Sequence, residues 1–115
     1  MQRTWEKSMD SYKIIISDLA ESDLDGFLEY LSNRKKSYQA ARAVYADFID
    51  TKDKLKLVAG SLKLDQDPDL SLLGYHRIRF SHHAYFMLYR VEGNVAFVDR
   101  IYHESQDYQT DKWWL

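Results

Sequence analysis

At 115 residues, 45% of them hydrophobic, the chain has enough length for one domain with a real core and too little for two. It contains no cysteine, which excludes disulfides, thiolate nucleophiles and cysteine-ligated zinc and fits a reducing compartment. The formal net charge of −2 hides a strong polarity: residues 1–29 carry 3 basic and 7 acidic groups, whereas residues 30–63 carry 8 and 3. The chain is polarised rather than basic, so its overall pull toward nucleic acid is weaker than that of a strongly basic binder.

No run approaches the roughly 20 apolar residues of a membrane-spanning helix. The opening MQRTWEKSMDS has no apolar signal core, so a cytoplasmic protein without membrane association is expected. The segment YKIIIS at residues 12–17 is β-branched and apolar and predicts a buried first strand. It runs into acidic DLAESDLD, where Asp18 and Glu21 have capping-box spacing and Leu24, Phe27, Leu28 and Leu31 form one apolar helical stripe ending near Asn33. Ser37 is the expected N-cap of a second helix, with Ala41, Val44, Tyr45, Phe48, Leu55, Ala59 and Leu62 facing inward and Asp47, Asp50, Lys52, Asp53, Lys54 and Lys56 on a solvated face. The short connection makes the two helices an antiparallel hairpin, stopped near Gly60.

SLKLDQDPDLSLLG, with the only proline at Pro68, reads as an irregular connection. Three strands follow, YHRIRFS, AYFMLYRVE and VAFVDRIYH, the last two joined by a turn at Glu92, Gly93 and Asn94. The expected fold is therefore α+β, in the order strand, helix, helix, strand, strand, strand, with a helical hairpin on one face of a small, mostly antiparallel sheet. A single domain over residues 1–115 is expected, with an N-terminal arm at 1–11 and a tail at 109–115 whose Trp113 and Trp114 fold back onto the sheet.

Period-two alternation puts Arg77 and Arg79 on one face of the second strand and Ile78 and Phe80 on the other. Two adjacent guanidinium groups can hold phosphate or stabilise charge on a transferring phosphoryl group; the plainer alternative is that they face solvent or pair with nearby acids. Arg90 and Arg100 add cations on the next two strands, on a face that depends on register. His103, Gln106 and Tyr108 place an imidazole, an amide and a phenol at the end of the last strand, where a proton-transfer group could act. His76, His82 and His83 lack metal-ligand spacing, and no phosphate loop, nucleophile elbow or HExxH motif occurs, so neither metal nor cofactor is expected.

The segments YKIIISDLAESDLDGFLEYL, QAARAVYADFI, LLGYHRIRF, YFMLYRVEG and VDRIYHESQDY, in this order across residues 12–108, resemble the RelE/ParE family of toxins from bacterial type II toxin-antitoxin modules. The resemblance implies a toxin held inactive by a cognate antitoxin, with operator DNA bound only through that antitoxin. It also implies one of two actions. One branch of the family cleaves mRNA on the ribosome with basic residues on the sheet and a C-terminal tyrosine or histidine; the other poisons DNA gyrase and lacks that set.

Arg77 and Arg79 match the basic pair of the ribonuclease branch, and His103 or Tyr108 lies where its acid-base residue is expected. These matches make ribosome-dependent mRNA cleavage the first expectation, with Arg77, Arg79, His103 and Tyr108 catalytic and Arg90, Arg100 and Gln106 holding substrate. Two departures favour the alternative of gyrase poisoning: Phe86 and Glu104 stand where that branch has arginines, and the pI near 6.0 suits a protein target better than ribosomal RNA. A third reading is a non-catalytic domain that binds antitoxin and represses their shared promoter.

Overall fold

The computed structural model describes residues 11–110. Four strands, β1 (Lys13–Ile16), β2 (His76–Arg79), β3 (Tyr85–Glu92) and β4 (Val95–His103), form one sheet in the order β1-β4-β3-β2. β1 pairs with β4 in parallel, and the other two pairings are antiparallel. Between β1 and β2 lie α1 (Asp18–Glu29), a π-helical turn (Tyr30–Arg34), α2 (Tyr38–Val58) and the one-turn α3 (Pro68–Leu72). The architecture is the expected α+β one, and no described helix is long and apolar enough to cross a membrane.

Local chemistry sets most boundaries. Ser17, not Asp18, caps α1: its side chain accepts from the Ala20 N–H and its hydroxyl donates to the Asp99 carbonyl, tying the helix start to β4. Ser37 caps α2 by accepting from the Ala40 N–H. The segment expected to be irregular contains α3, with Asp67 at its N-cap and Pro68 in the first turn, where a missing N–H costs nothing. Gly93 opens the β3–β4 turn at φ 61°, the sign a II′ hairpin needs at its first central residue. β1 is half exposed rather than buried, because it is an edge strand with Lys13 and Ile15 turned outward.

The helices pack on one sheet face, where Leu24, Val44, Phe48, Leu55, Ile78, Met87, Tyr89, Val98 and Ile101 form the main core. A second, smaller cluster covers part of the opposite face: Leu70 of α3 and Tyr75 close over Phe86, Leu88 and Tyr102, with Tyr108 against them. Both faces of β3 are therefore buried at its centre, and the sheet has no fully open side.

One interior feature departs from the helical pattern. Asp47, expected on the solvated face of α2, is 2% exposed. Its carboxylate accepts from the backbone N–H groups of Ser81 (3.1 Å) and His82 (2.9 Å) and contacts His83 Nδ1 at 2.7 Å, so it clasps the β2–β3 connection to the helix. Tyr45, expected inward, is exposed instead.

Candidate functional site

The sheet's register decides which cations meet. Arg77 lies opposite Leu88 and Arg79 opposite Phe86, while Leu88 also pairs with Arg100 and Arg90 with Phe97. Cross-strand partners share a face. The register shifts between Leu88 and Tyr89, leaving Asp99 as the extra residue of β4, and this bulge changes the strand's parity so that Phe97 and Arg100 point the same way. All four arginines consequently stand on the face away from the hairpin. Three lie over aromatic rings: Arg77 over Phe86 (4.1 Å), Arg90 over Phe97 (4.6 Å) and Arg100 over Tyr102 (4.8 Å).

Every one of these arginines is also paired with a carboxylate. Arg77 makes a two-pronged contact with Asp65, Nε to Oδ2 at 2.8 Å and Nη2 to Oδ1 at 3.2 Å, and the Asp65 carboxylate is almost wholly buried. Arg79, with a side chain 69% exposed, meets Glu104 at 2.5 Å. Arg90 bridges Asp99 (2.9 Å) and Glu92, and the buried Tyr75 hydroxyl donates to the same Asp99 at 2.6 Å. Arg100 meets Asp23 of α1 through two nitrogens at 2.8 and 3.0 Å, while Asp23 also accepts the Ile101 N–H. The exposed Arg79–Glu104 pair is the weakest of these, in the range of about 0–1 kcal/mol typical of surface pairs.

Tyr108 joins the cluster and His103 does not. The Tyr108 hydroxyl accepts from Arg77 Nη2 at 3.0 Å and donates to Asp67 at 3.1 Å. Burial lifts the phenol above its ordinary value, and Asp67 adds to the rise against the opposing pull of Arg77, so the group is a neutral phenol at physiological pH. Burial opposes the charge on Arg77, but Asp65 and Tyr108 outweigh it and keep the guanidinium protonated. His103 pairs with Tyr85 and packs edge-on against its ring on the helix side of the sheet, the face opposite Arg77 and Arg79. Its Nδ1 contacts the Ser105 hydroxyl at 2.8 Å, and the His103 backbone N–H donates to Gln106 Oε1 at 2.8 Å where the strand ends.

Arg77, Arg79 and Tyr108 open onto a cleft of about 820 Å³ whose other wall is the connection from Leu62 to Pro68. That wall was not marked by the residue pattern, yet it supplies Asp65 and Asp67, the two carboxylates that set the charge of the cleft. The alternation of aspartates at 65, 67 and 69 was the available signal. Trp113, Trp114, residues 1–10 of the arm and residues 111–115 of the tail lie outside the described residues.

A helical hairpin on a four-stranded mixed sheet, with an arginine face closed by a C-terminal tyrosine, is the frame of a small toxin of the RelE/ParE kind. Residues 14–108 match the model of the ParE toxin of type II toxin-antitoxin systems, and the chain belongs to that family. Its fold is similar to a structure of the chromosomal ParDE toxin-antitoxin system from P. aeruginosa, at 18% identity and a TM-score of 0.64 over 82% of this chain and 97% of that one. It is also similar to the toxin-antitoxin complex RelBE2 from Mycobacterium tuberculosis, at 18% identity and a TM-score of 0.53 over 85% of this chain and 97% of that one. No curated protein matches the sequence.

Proposed function

We propose that this type II toxin acts as a poison of DNA gyrase, without cleaving mRNA, and is held inactive by a cognate antitoxin laid over the arginine face. The observation that carries the reading is the pairing of that face: four arginines stand among six carboxylates, Asp23, Asp65, Asp67, Glu92, Asp99 and Glu104. Phosphodiester cleavage needs uncompensated positive charge where the transition state gathers negative charge. Here Glu104 neutralises the most accessible arginine, and Phe86 supports Arg77 as a ring rather than adding a charge. Two structural neighbours are a ParDE toxin-antitoxin system and a RelBE2 toxin-antitoxin complex, which supports an antitoxin as the partner.

The second reading, ribosome-dependent mRNA cleavage, is favoured by one contact: Arg77 and Tyr108 meet at 3.0 Å beside the cleft, an arrangement in which a neutral phenol could donate a proton to a leaving oxygen. The two are separated by inducing the toxin without antitoxin and pulse-labelling DNA and protein synthesis together. Gyrase poisoning predicts that DNA synthesis falls first, with a damage response. An earlier fall in protein synthesis, relieved by Arg79→Ala or Tyr108→Phe, would establish cleavage instead.

A further inference from the structure

The sheet arginines all face carboxylates, but among the described residues a cluster of exposed cations without such partners lies at the tip of the helical hairpin, where Arg34, Lys35 and Lys36 follow one another and Arg42 stands one turn into α2. Residues 33–36 are all exposed, and Arg42 is exposed as well. No aspartate or glutamate occurs from residue 30 to residue 46. Among the described residues none of these four side chains takes part in an ion pair, in contrast to every arginine on the sheet. An ordinary solvated helix face mixes its signs, as residues 50–56 of the same helix do, where Lys56 pairs with Asp53 at 3.3 Å.

Three independent features point to a polyanion as the occupant of this tip. Lys36 sits at φ 53°, a left-handed conformation that glycine or asparagine adopts more easily, so a cation stands at a position where the backbone favours another residue. The turn before it is π-helical, with the Lys35 N–H donating to the Tyr30 carbonyl and the Ser37 N–H to the Leu31 carbonyl; Lys35 Nζ stands 5.8 Å from the centroid of the Tyr30 ring, and residues 33–36 stay exposed. α2 begins directly after them with no acidic residue in its first turn, so the positive end of a 21-residue helix adds to the same field. Tyr38 (77% exposed), Arg42 and Tyr45 (49% exposed) follow at i, i+4 and i+7 on one face of α2, interleaving hydroxyl donors with the charge.

We propose that the hairpin tip is a docking surface for the phosphate backbone of duplex DNA, with Arg34, Lys35, Lys36 and Arg42 as phosphate contacts and Tyr38 and Tyr45 as flanking donors. Phosphate contacts of this kind carry no sequence information; they position a protein on a duplex. The choice of DNA rests on the gyrase reading, in which the toxin meets an enzyme already bound to a duplex. The tip then supplies the DNA half of a ternary contact.

The test is fluorescence anisotropy of a labelled 20-base-pair duplex titrated with the full chain, without gyrase, across a range of salt. Four neutralised phosphates predict a slope of log K against log salt of about −3.6. The variant Arg34→Gln, Lys35→Gln, Lys36→Asn, Arg42→Gln should lose at least about tenfold in affinity and flatten the slope, while Lys54→Gln on the mixed face should leave the isotherm in place. Circular dichroism melting of each variant separates lost contacts from lost folding, and Lys36→Gly alone, which suits the left-handed backbone, should fold well and still weaken binding. Absence of wild-type binding, an unchanged isotherm in the folded quadruple variant, or tighter binding of single-stranded RNA would each overturn the proposal. Because gyrase is absent, failure here leaves the gyrase reading standing, and failure of gyrase inhibition with intact duplex binding leaves the tip standing.

Discussion

Asp47 shows how one buried carboxylate can hold a connection between strands. Two backbone N–H groups and His83 face it; burial pushes its carboxyl up, but the hydrogen bonds from His83, His82 and Ser81 prevail and hold it below the usual carboxylate range. Asp47→Asn should therefore cost about 2 kcal/mol at neutral pH, read from denaturant unfolding. Because the folded-state value is the lower one, this stabilisation is fully present above the unfolded value of about 4 and is lost as pH falls through the folded value. The gap between wild type and variant should accordingly close in acid, and a gap that stays constant would show that the charge of Asp47 is not what stabilises the turn. Thr51, one turn further along the same helix, is fully buried with a hydroxyl that finds no partner among the described residues. Thr51→Val should stabilise by about 1 kcal/mol, since it removes an unsatisfied polar group without changing shape.

At the scale of elements, the connection from Leu62 to Pro68 is pinned to β2 by the Arg77–Asp65 pair and by a bridge between Leu64 and His76. Asp65→Asn should cost about 2 kcal/mol and loosen that wall, seen as faster hydrogen exchange there than in β3. The hairpin end behaves oppositely. Lys36→Gly should stabilise by about 1 kcal/mol in thermal unfolding, because the left-handed backbone penalises a side chain. Gly60 marks a third constraint: a Cβ there would meet the Tyr12 hydroxyl at 2.0 Å, so Gly60→Ala should destabilise, and less so in a Tyr12→Ala background.

Much of this was legible in the residues, for a physical reason. The alternation of Arg77 and Arg79 with Ile78 and Phe80 needs no register to be read, and the Ser37 cap and the turn at Gly93 act within four positions of themselves. What was not legible depends on long-range partners. Asp47 reads as a surface position until the amides 34 and 35 residues away are placed over it. The separation of His103 from Tyr108 follows from a bulge at Asp99 that no local pattern announces, and the carboxylates facing the arginines come from α1, the 62–68 connection and the end of β4.

Among the described residues two groups of cations stand apart. The four sheet arginines are tied to carboxylates, and three of them also lie over rings, whereas Arg34, Lys35, Lys36 and Arg42 at the hairpin tip are exposed and make no ion pair. The uneven charge along the chain, 8 basic and 3 acidic groups in residues 30–63, was the sequence's trace of this division. The central claim is that the toxin acts on gyrase and does not cut RNA. Its most direct measurement is the incubation of the purified full chain with gyrase, ATP and supercoiled plasmid, followed by denaturation and electrophoresis, alongside a translating ribosome reaction with labelled mRNA. Linearised plasmid carrying covalently attached gyrase, with the mRNA intact, is the predicted result. Intact plasmid with mRNA cut within the ribosome would contradict the account.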